Sequence, residues 1–251
     1  MQTDHRMISE VLVDQSYWDK SYERMTPTAA HADDPVRKWI ITHVKAVPPG
    51  KNALEVGCFP GRYLAVIGER GYRVNGVDLT PGVLNMPEAF RRMGLTAGTF
   101  ERADFLSHQY ERPFDLVCSF GFIEHFADWR AILRRHAELV APGGLLVIET
   151  PNFRGTVQNL FHRWLDAENY ARHNPYAMDP HAWAAEVEAL GFTVHYSGWF
   201  GRFEFWSDSP QRGPWQWIGS RVLRVLQPWL KKRPEGHPAT SPYCGLVAQR
   251  A

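Results

Sequence analysis

An excess of charge of one sign is missing from this chain: 28 Lys and Arg stand against 27 Asp and Glu over 251 residues, a formal net charge of +1. Such a balance builds no global field to draw in nucleic acid or an acidic membrane, so nucleic acid is not expected as a partner. Cysteine is scarce as well. Cys58, Cys118 and Cys244 are odd in number and lack metal-ligand spacing, which reads as reduced thiols of a cytoplasmic protein rather than a disulfide framework. No window approaches about 18 consecutive apolar residues, and the opening MQTDHRMISEVLVDQSYW carries acids and polar groups where a secretion signal would be apolar. Neither secretion nor stable membrane insertion is expected. Repeats and low-complexity tracts are absent too, which leaves one well-filled globular domain.

What is present is alternation. From about residue 35 to 200, short apolar runs and helical patterns take turns, the mark of an α/β fold with a parallel sheet wrapped by helices. Asp34 and Pro35 fit the N-cap and first position of a helix that Pro48-Pro49-Gly50 stops. Strands are expected at 52–57, at YRVNGVD ending on Asp78, within TAGTFERAD, at 114–120, at LLVIET, at 192–200 and at the terminal YCGLVAQ. Asp128 fits an N-cap for a helix with Trp129, Ile132, Leu133, His136 and Leu139 on one face, closed by APGG. Residues 1–34 and two insertions, about 151–179 and 207–241, lie outside the plain alternation.

The stretch ALEVGCFPGRYLA is a strand, a turn with Gly57 and Gly61, and a helix. A strand that ends in a glycine-rich bend and feeds a helix leaves backbone N–H groups facing open space at the carboxyl edge of the sheet. Asp78 closes the next strand, where a carboxylate can accept hydrogen bonds from both hydroxyls of a ribose. A nucleoside-containing cofactor is implied. Phe59 stands where a dinucleotide fingerprint needs its second glycine, and Glu55 is poor company for phosphates, so NAD is disfavoured although a nicotinamide oxidoreductase stays open as an alternative.

E-V-G-C-F-P-G resembles the first motif, E-x-G-x-G-x-G, of class I S-adenosylmethionine-dependent methyltransferases, with Phe59 at the middle glycine. VNGVD, RADF, FDLVCSFGFIEHFAD and LVAPGGLLVIETPN resemble the family's later motifs in order, and the likeness covers roughly residues 50 to 200. The resemblance implies a Rossmann-like seven-stranded sheet whose last strand is antiparallel, with S-adenosyl-L-methionine as cofactor. It places Glu55, Gly57 and Gly61 around the methionine moiety, Asp78 on the ribose and Leu79 beside adenine. Asp104 would accept the adenine amino group, Phe105 would form an apolar wall, and the backbone of Ser119 and Phe120 would complete the cleft. The N-terminal QSYWDKSYERM resembles a lid helix, with Tyr17 and Trp18 as cover and Tyr22 one turn beyond.

Methyl transfer from a sulfonium needs alignment and water exclusion, and a base only if the acceptor is a hydroxyl or similar group. The resemblance puts Glu124 and His125 near the reacting methyl, and His125 has the ordinary pKa range for proton removal at neutral pH. His173 is the reserve base. Ubiquinone-type O-methyltransferases carry an E-x-x-E-H pattern that can hold a divalent metal; Gly121 stands at the first acid's place here, which leaves two ligands and no metal expected. Asn169, Tyr170, Asn174 and Tyr176 follow an apolar helical pattern in the insertion after strand five and are candidate contacts to a small-molecule acceptor. At 215–233, Trp215, Ile218, Val222, Val225, Leu226 and Trp229 share one face, with five cations elsewhere. That stretch is expected to close over its own domain, a membrane surface or a second copy in a homodimer being the alternatives. Transfer to a hydroxyl of a small or medium acceptor is the expected activity, and a cofactor-binding protein without turnover is the further alternative.

Overall fold

The computed structural model describes residues 11–208 and 213–251; the first ten residues of the expected lid and residues 209–212 of the second insertion lie outside that range. The chain begins with α1 (Gln15–Tyr22) and α2 (Pro35–His43), each started by an aspartate whose side chain accepts backbone N–H groups: Asp14 from Ser16, Asp34 from Val36 and Arg37. The sheet then builds from β1 (Asn52–Val56), β2 (Arg73–Asp78), β3 (Ala97–Arg102), β4 (Phe114–Phe120), β5 (Val140–Pro151), β6 (Phe192–Phe200) and β7 (Tyr243–Arg250). Between the strands run α3 (Arg62–Glu69), α4 (Met86–Arg92), α5 (Trp129–Glu138), α6 (Thr156–Leu165), α7 (Ala167–Ala171), α8 (Pro180–Ala189) and α9 (Pro214–Leu230).

Strand order is β3-β2-β1-β4-β5-β7-β6, with β7 antiparallel to both its neighbours. The side-chain period of two divides the sheet's residues between two cores. Leu54, Val117, Leu146, Ile148 and Leu246 join Trp129 and Trp183 of α5 and α8 on one face. Ala53, Leu116, Cys118, Val147 and Val247 join Trp39, Leu64, Ile67 and Phe90 of α2, α3 and α4 on the other. Strands buried on both faces read as continuous apolar runs, which is why FDLVCSF and LLVIET are recognisable in the sequence.

One boundary differs from the sequence reading. The APGG expected to end a helix instead belongs to β5, which starts at Val140 because Phe114 of β4 already pairs there before a register shift. After β2 the chain opens as a 3₁₀ segment, Pro81–Asn85, with no side-chain cap from Thr80. The larger difference is α9. The face named from its periodicity, Trp215 to Trp229, points to solvent rather than onto the domain. The helix is held by Gly219, Leu223 and Leu230 instead. A side chain at Gly219 would collide with Leu165 and Trp164, so glycine lets the two helices approach closely.

The chain leaves β1 toward β2 and β3 on one side, then crosses back to β4 on the other. That reversal between β1 and β4 is where an open α/β sheet leaves a crevice at the carboxyl ends of its strands.

Candidate active site

A cavity of about 400 Å³ fills this crevice, within the range of small-molecule sites. Its wall is assembled from the ends of β1, β2 and β4, the turn 57–61, the segment 103–106 and the N-terminal α1.

The turn is shaped by its glycines. Gly57 and Gly61 both have positive φ, 66° and 80°, where a side chain costs energy. A Cβ on Gly57 would also meet the ring of Phe122, and one on Gly61 the side chains of Met86 and Phe90. Phe59 does not obstruct the cavity as its position in the motif suggests. Its ring turns onto Gly82, which leaves it room, and lies 5.5 Å from the Tyr22 ring, while its N–H donates to Asp78 Oδ2 at 2.9 Å. The other carboxylate oxygen of Asp78 accepts the Thr80 N–H at 2.7 Å. The aspartate thus ties the turn to the end of β2 and keeps further lone pairs for a ligand.

Glu55 is buried on the same wall. Its Oε2 has no hydrogen-bond partner. Burial, with Asp78 nearby, lifts Glu55 well above its ordinary 4.5, and burial also raises Asp78. Two carboxyl groups in a low-dielectric wall repel phosphate and favour a cation, which offsets their desolvation. Leu79, Asp104, Phe105 and Phe120 line the cavity as expected, and Phe105 is buried while Leu79 is exposed. Asp104 has a second duty, accepting the Leu106 N–H at 3.0 Å within its turn. Ser119 is fully buried and does not reach the cavity. These groups suit S-adenosylmethionine: an orphaned buried carboxylate oxygen for its positive charge, a carboxylate at the ribose position and apolar walls for a flat base.

From α1, Trp18 and Tyr22 line the cavity. Their rings stack at 5.4 Å and both face the cavity. Tyr17 points elsewhere, under the Arg172 guanidinium at 4.2 Å, because adjacent residues on a helix diverge by about 100°. Tyr22, not Tyr17, is therefore the second aromatic of α1 on the cavity.

His125 lines the cavity 5.0 Å from the Trp18 ring. Its Nδ1 lies 2.9 Å from the Arg172 carbonyl, which can only accept, so Nδ1 carries the proton and Nε2 keeps a lone pair. Burial holds its pKa down to about 4, below the neutral range expected from the residue type, because the imidazolium would be desolvated. Glu124, fully buried with neither oxygen hydrogen-bonded, sits with Oε1 3.9 Å from His125 Nε2 and is pushed up to about 8 by burial. Glu124 does not line the cavity; its carboxyl faces the Nε2 edge of the imidazole.

His173 is not on the cavity either. Its ring lies 4.6 Å from His125, and Nδ1 donates to the Asn169 carbonyl at 2.7 Å. It supplies the donor that sequence could not place, because Glu124, His125 and His173 each bring one ligand atom within 4.8 Å of the others. Glu124, His125 and His173 thus offer three candidate ligand atoms where the motif alone showed two.

The four expected acceptor contacts do not reach the cavity. Asn169 donates to Asp166 at 2.9 Å, the Tyr170 hydroxyl accepts from Asn159 at 2.8 Å, and Asn174 caps the 3₁₀ turn Pro175–Ala177. Tyr176 is 79% exposed. Asn169 and Tyr170 are thus engaged by side chains of their own insertion, and the Asn174 amide also donates to the Phe126 carbonyl at 3.2 Å, which ties the insertion to the turn after β4. Residues that the sequence did not single out take part instead: Arg62 and Tyr63 at the start of α3, Thr80 after β2, and Phe122 and Phe126 flanking the Glu-His pair. The first two could have been found as the helix positions that follow Gly61.

Known proteins resemble this chain in sequence and in fold. Residues 29–197 match the family model described as a methyltransferase domain. A ubiquinone biosynthesis O-methyltransferase from Azorhizobium caulinodans is 30% identical over 203 residues, 71% of this chain and 76% of that one. One from Stutzerimonas stutzeri is 28% identical over 143 residues, 54% of this chain, and the matched stretch spans only 58% of its length. The solved fold of a putative sarcosine dimethylglycine methyltransferase from Galdieria sulphuraria superposes with a TM-score of 0.56 at 14% identity, covering 86% of this chain and 85% of that one. Among the described residues no helix is long and apolar enough to cross a membrane. With motifs, sheet order and cavity in agreement, the chain belongs to the class I S-adenosylmethionine-dependent methyltransferases.

Proposed function

We propose that the protein transfers the methyl group of S-adenosylmethionine to a hydroxyl oxygen of a small or medium-sized acceptor. The observation that carries this reading is a neutral imidazole, with the Nε2 lone pair of His125 unprotonated, on the same cavity as the Glu55 and Asp78 carboxyls.

The bound donor supplies a methyl already activated by a positively charged sulfur. The protein's share is to bind, orient and exclude water. Asp78 and Glu55 hold the donor's polar and charged parts, while Trp18 and Tyr22 close the cavity from the N-terminal side. The acceptor hydroxyl gives its proton to His125 Nε2 as its oxygen forms the new bond to the methyl carbon and the carbon–sulfur bond breaks. Glu124, 3.9 Å away and kept protonated by burial up to about 8, is the group whose ionisation would stabilise the resulting imidazolium. That the relatives are O-methyltransferases of ubiquinone biosynthesis supports an oxygen acceptor.

The test is a methyl-transfer assay with phenols, catechols and aliphatic amines, read by mass spectrometry. Oxygen methylation that falls with His125→Ala supports the reading. Methylation confined to amines or carbon, or donor binding with no turnover on any acceptor, sinks it.

A further inference from the structure

We propose that the outward face of α9 docks this protein on the surface of an anionic phospholipid bilayer. Trp215, Ile218, Val222, Val225, Leu226 and Trp229 fall within an arc of about 100° at 100° per residue. They are between 40 and 78% exposed. This arc is not the packing face. Gly219, Leu223 and Leu230 lie beside it and fasten the helix to Phe161, Leu165 and Phe203, so the domain's own contact is complete without the six outward residues.

The composition of the helix says what covers the arc. Tryptophans stand near both ends, at 215, 217 and 229, and indole favours the boundary between headgroups and acyl chains. From Gly213 to Arg233 there is no acidic residue, against five cations: Arg221, Arg224, Lys231, Lys232 and Arg233. Arg221 lies over the Trp217 ring at 3.9 Å, outside the apolar strip, and Arg233 over Trp229 of the strip at 4.1 Å, so two of the five cations are paired with indoles. A helix with an apolar face, flanking cations and tryptophan at its rims lies in the plane of an interface and is drawn to negative headgroups. Two copies meeting through this face would bring five cations against five, whereas an acidic bilayer neutralises them. The chain's near-zero net charge confines the attraction to this helix.

The test uses the full chain and unilamellar vesicles of phosphatidylcholine with or without phosphatidylglycerol, followed by flotation. The expected result is binding to the phosphatidylglycerol vesicles, weakened by salt, and a fall of about tenfold or more in partitioning for Trp215→Ala with Trp229→Ala. Val225→Glu, at an exposed position, should do the same while thermal unfolding stays unchanged. Absence of binding to acidic vesicles overturns the proposal, as does binding that survives all three substitutions. Sedimentation velocity supplies the remaining outcome: a dimer that these substitutions dissociate, without vesicle binding, assigns the face to a second copy and overturns the bilayer. None of these readouts depends on methyl transfer.

Discussion

The backbone N–H of Leu12 donates to the carbonyl of His125 at 2.8 Å, and Val11 forms an antiparallel bridge with Phe126. The N-terminal segment is therefore tied to the same turn that presents the imidazole, and α1 follows it across the cavity. Removing the Trp18 ring should cost donor binding more than fold stability. Trp18→Ala is expected to weaken the affinity for S-adenosylhomocysteine by about tenfold, some 1.4 kcal/mol, as read by calorimetry. An unchanged affinity would show that the aromatic lid does not cover the donor.

Asp78 accepts two backbone N–H groups at the turn, so substitution removes both a ligand contact and a tie within the fold. Hydrogen bonds to a charged group contribute about 1.5–3 kcal/mol each. Asp78→Asn should lower donor affinity by at least about tenfold, and Asp78→Ala should in addition lower the thermal midpoint.

Glu55 carries a pH signature. Its raised pKa means that the folded chain keeps a proton after the unfolded chain has lost it at the ordinary 4.5. This group's contribution to stability is present below 4.5 and is lost as pH rises through the raised value. A cation in the cavity favours the ionised form, so the ratio of S-adenosylmethionine to S-adenosylhomocysteine affinity should grow with pH, and binding should release protons. Glu55→Gln should flatten that ratio and leave the ligand-free protein at least as stable at neutral pH. Calorimetry in buffers of different ionisation enthalpy measures both.

His125→Ala should lower turnover on a hydroxyl acceptor by about 10²- to 10⁴-fold, with donor affinity changed far less. His125→Asn is the control for packing, since it retains a polar group against the Arg172 carbonyl without a base. Equal loss of donor binding and turnover would make His125 a structural residue only.

Phe59 tests the departure from the family motif. Its ring fills space over Gly82, and Gly82 leaves it room. Restoring the motif's glycine with Phe59→Gly should therefore destabilise the protein by about 3–5 kcal/mol in urea melts, the cost of emptying a buried aromatic site. Stability at or above wild type would contradict this packing.

Much of this was legible in the sequence because it depends on local periodicity and caps. Asp34, Pro35 and Asp128 mark helix starts, the doubly buried β4 and β5 are continuous apolar runs, and Gly57 with Gly61 forecasts the turn. Contacts between distant segments were not legible. Nothing local to FGFIEHF shows that the Arg172 carbonyl will set its tautomer or that burial will depress its pKa, and nothing in QSYWDKSY decides whether Tyr17 or Tyr22 faces inward. Asn169, Tyr170 and Asn174 resembled ligand contacts because polar side chains that hold a loop together have the same composition as those that bind a substrate. The α9 stripe misled for a related reason. Periodicity identifies an apolar face without saying whether protein covers it.

Calorimetric titration of the purified chain with S-adenosylhomocysteine, run beside Asp78→Asn and beside NADH, bears most directly on the cavity. Saturable heat with wild type, a marked loss with the variant and no heat with NADH is the expected outcome. Silence with S-adenosylhomocysteine, or saturable binding of NADH in its place, would contradict the assignment of this crevice to a sulfur-bearing adenosine.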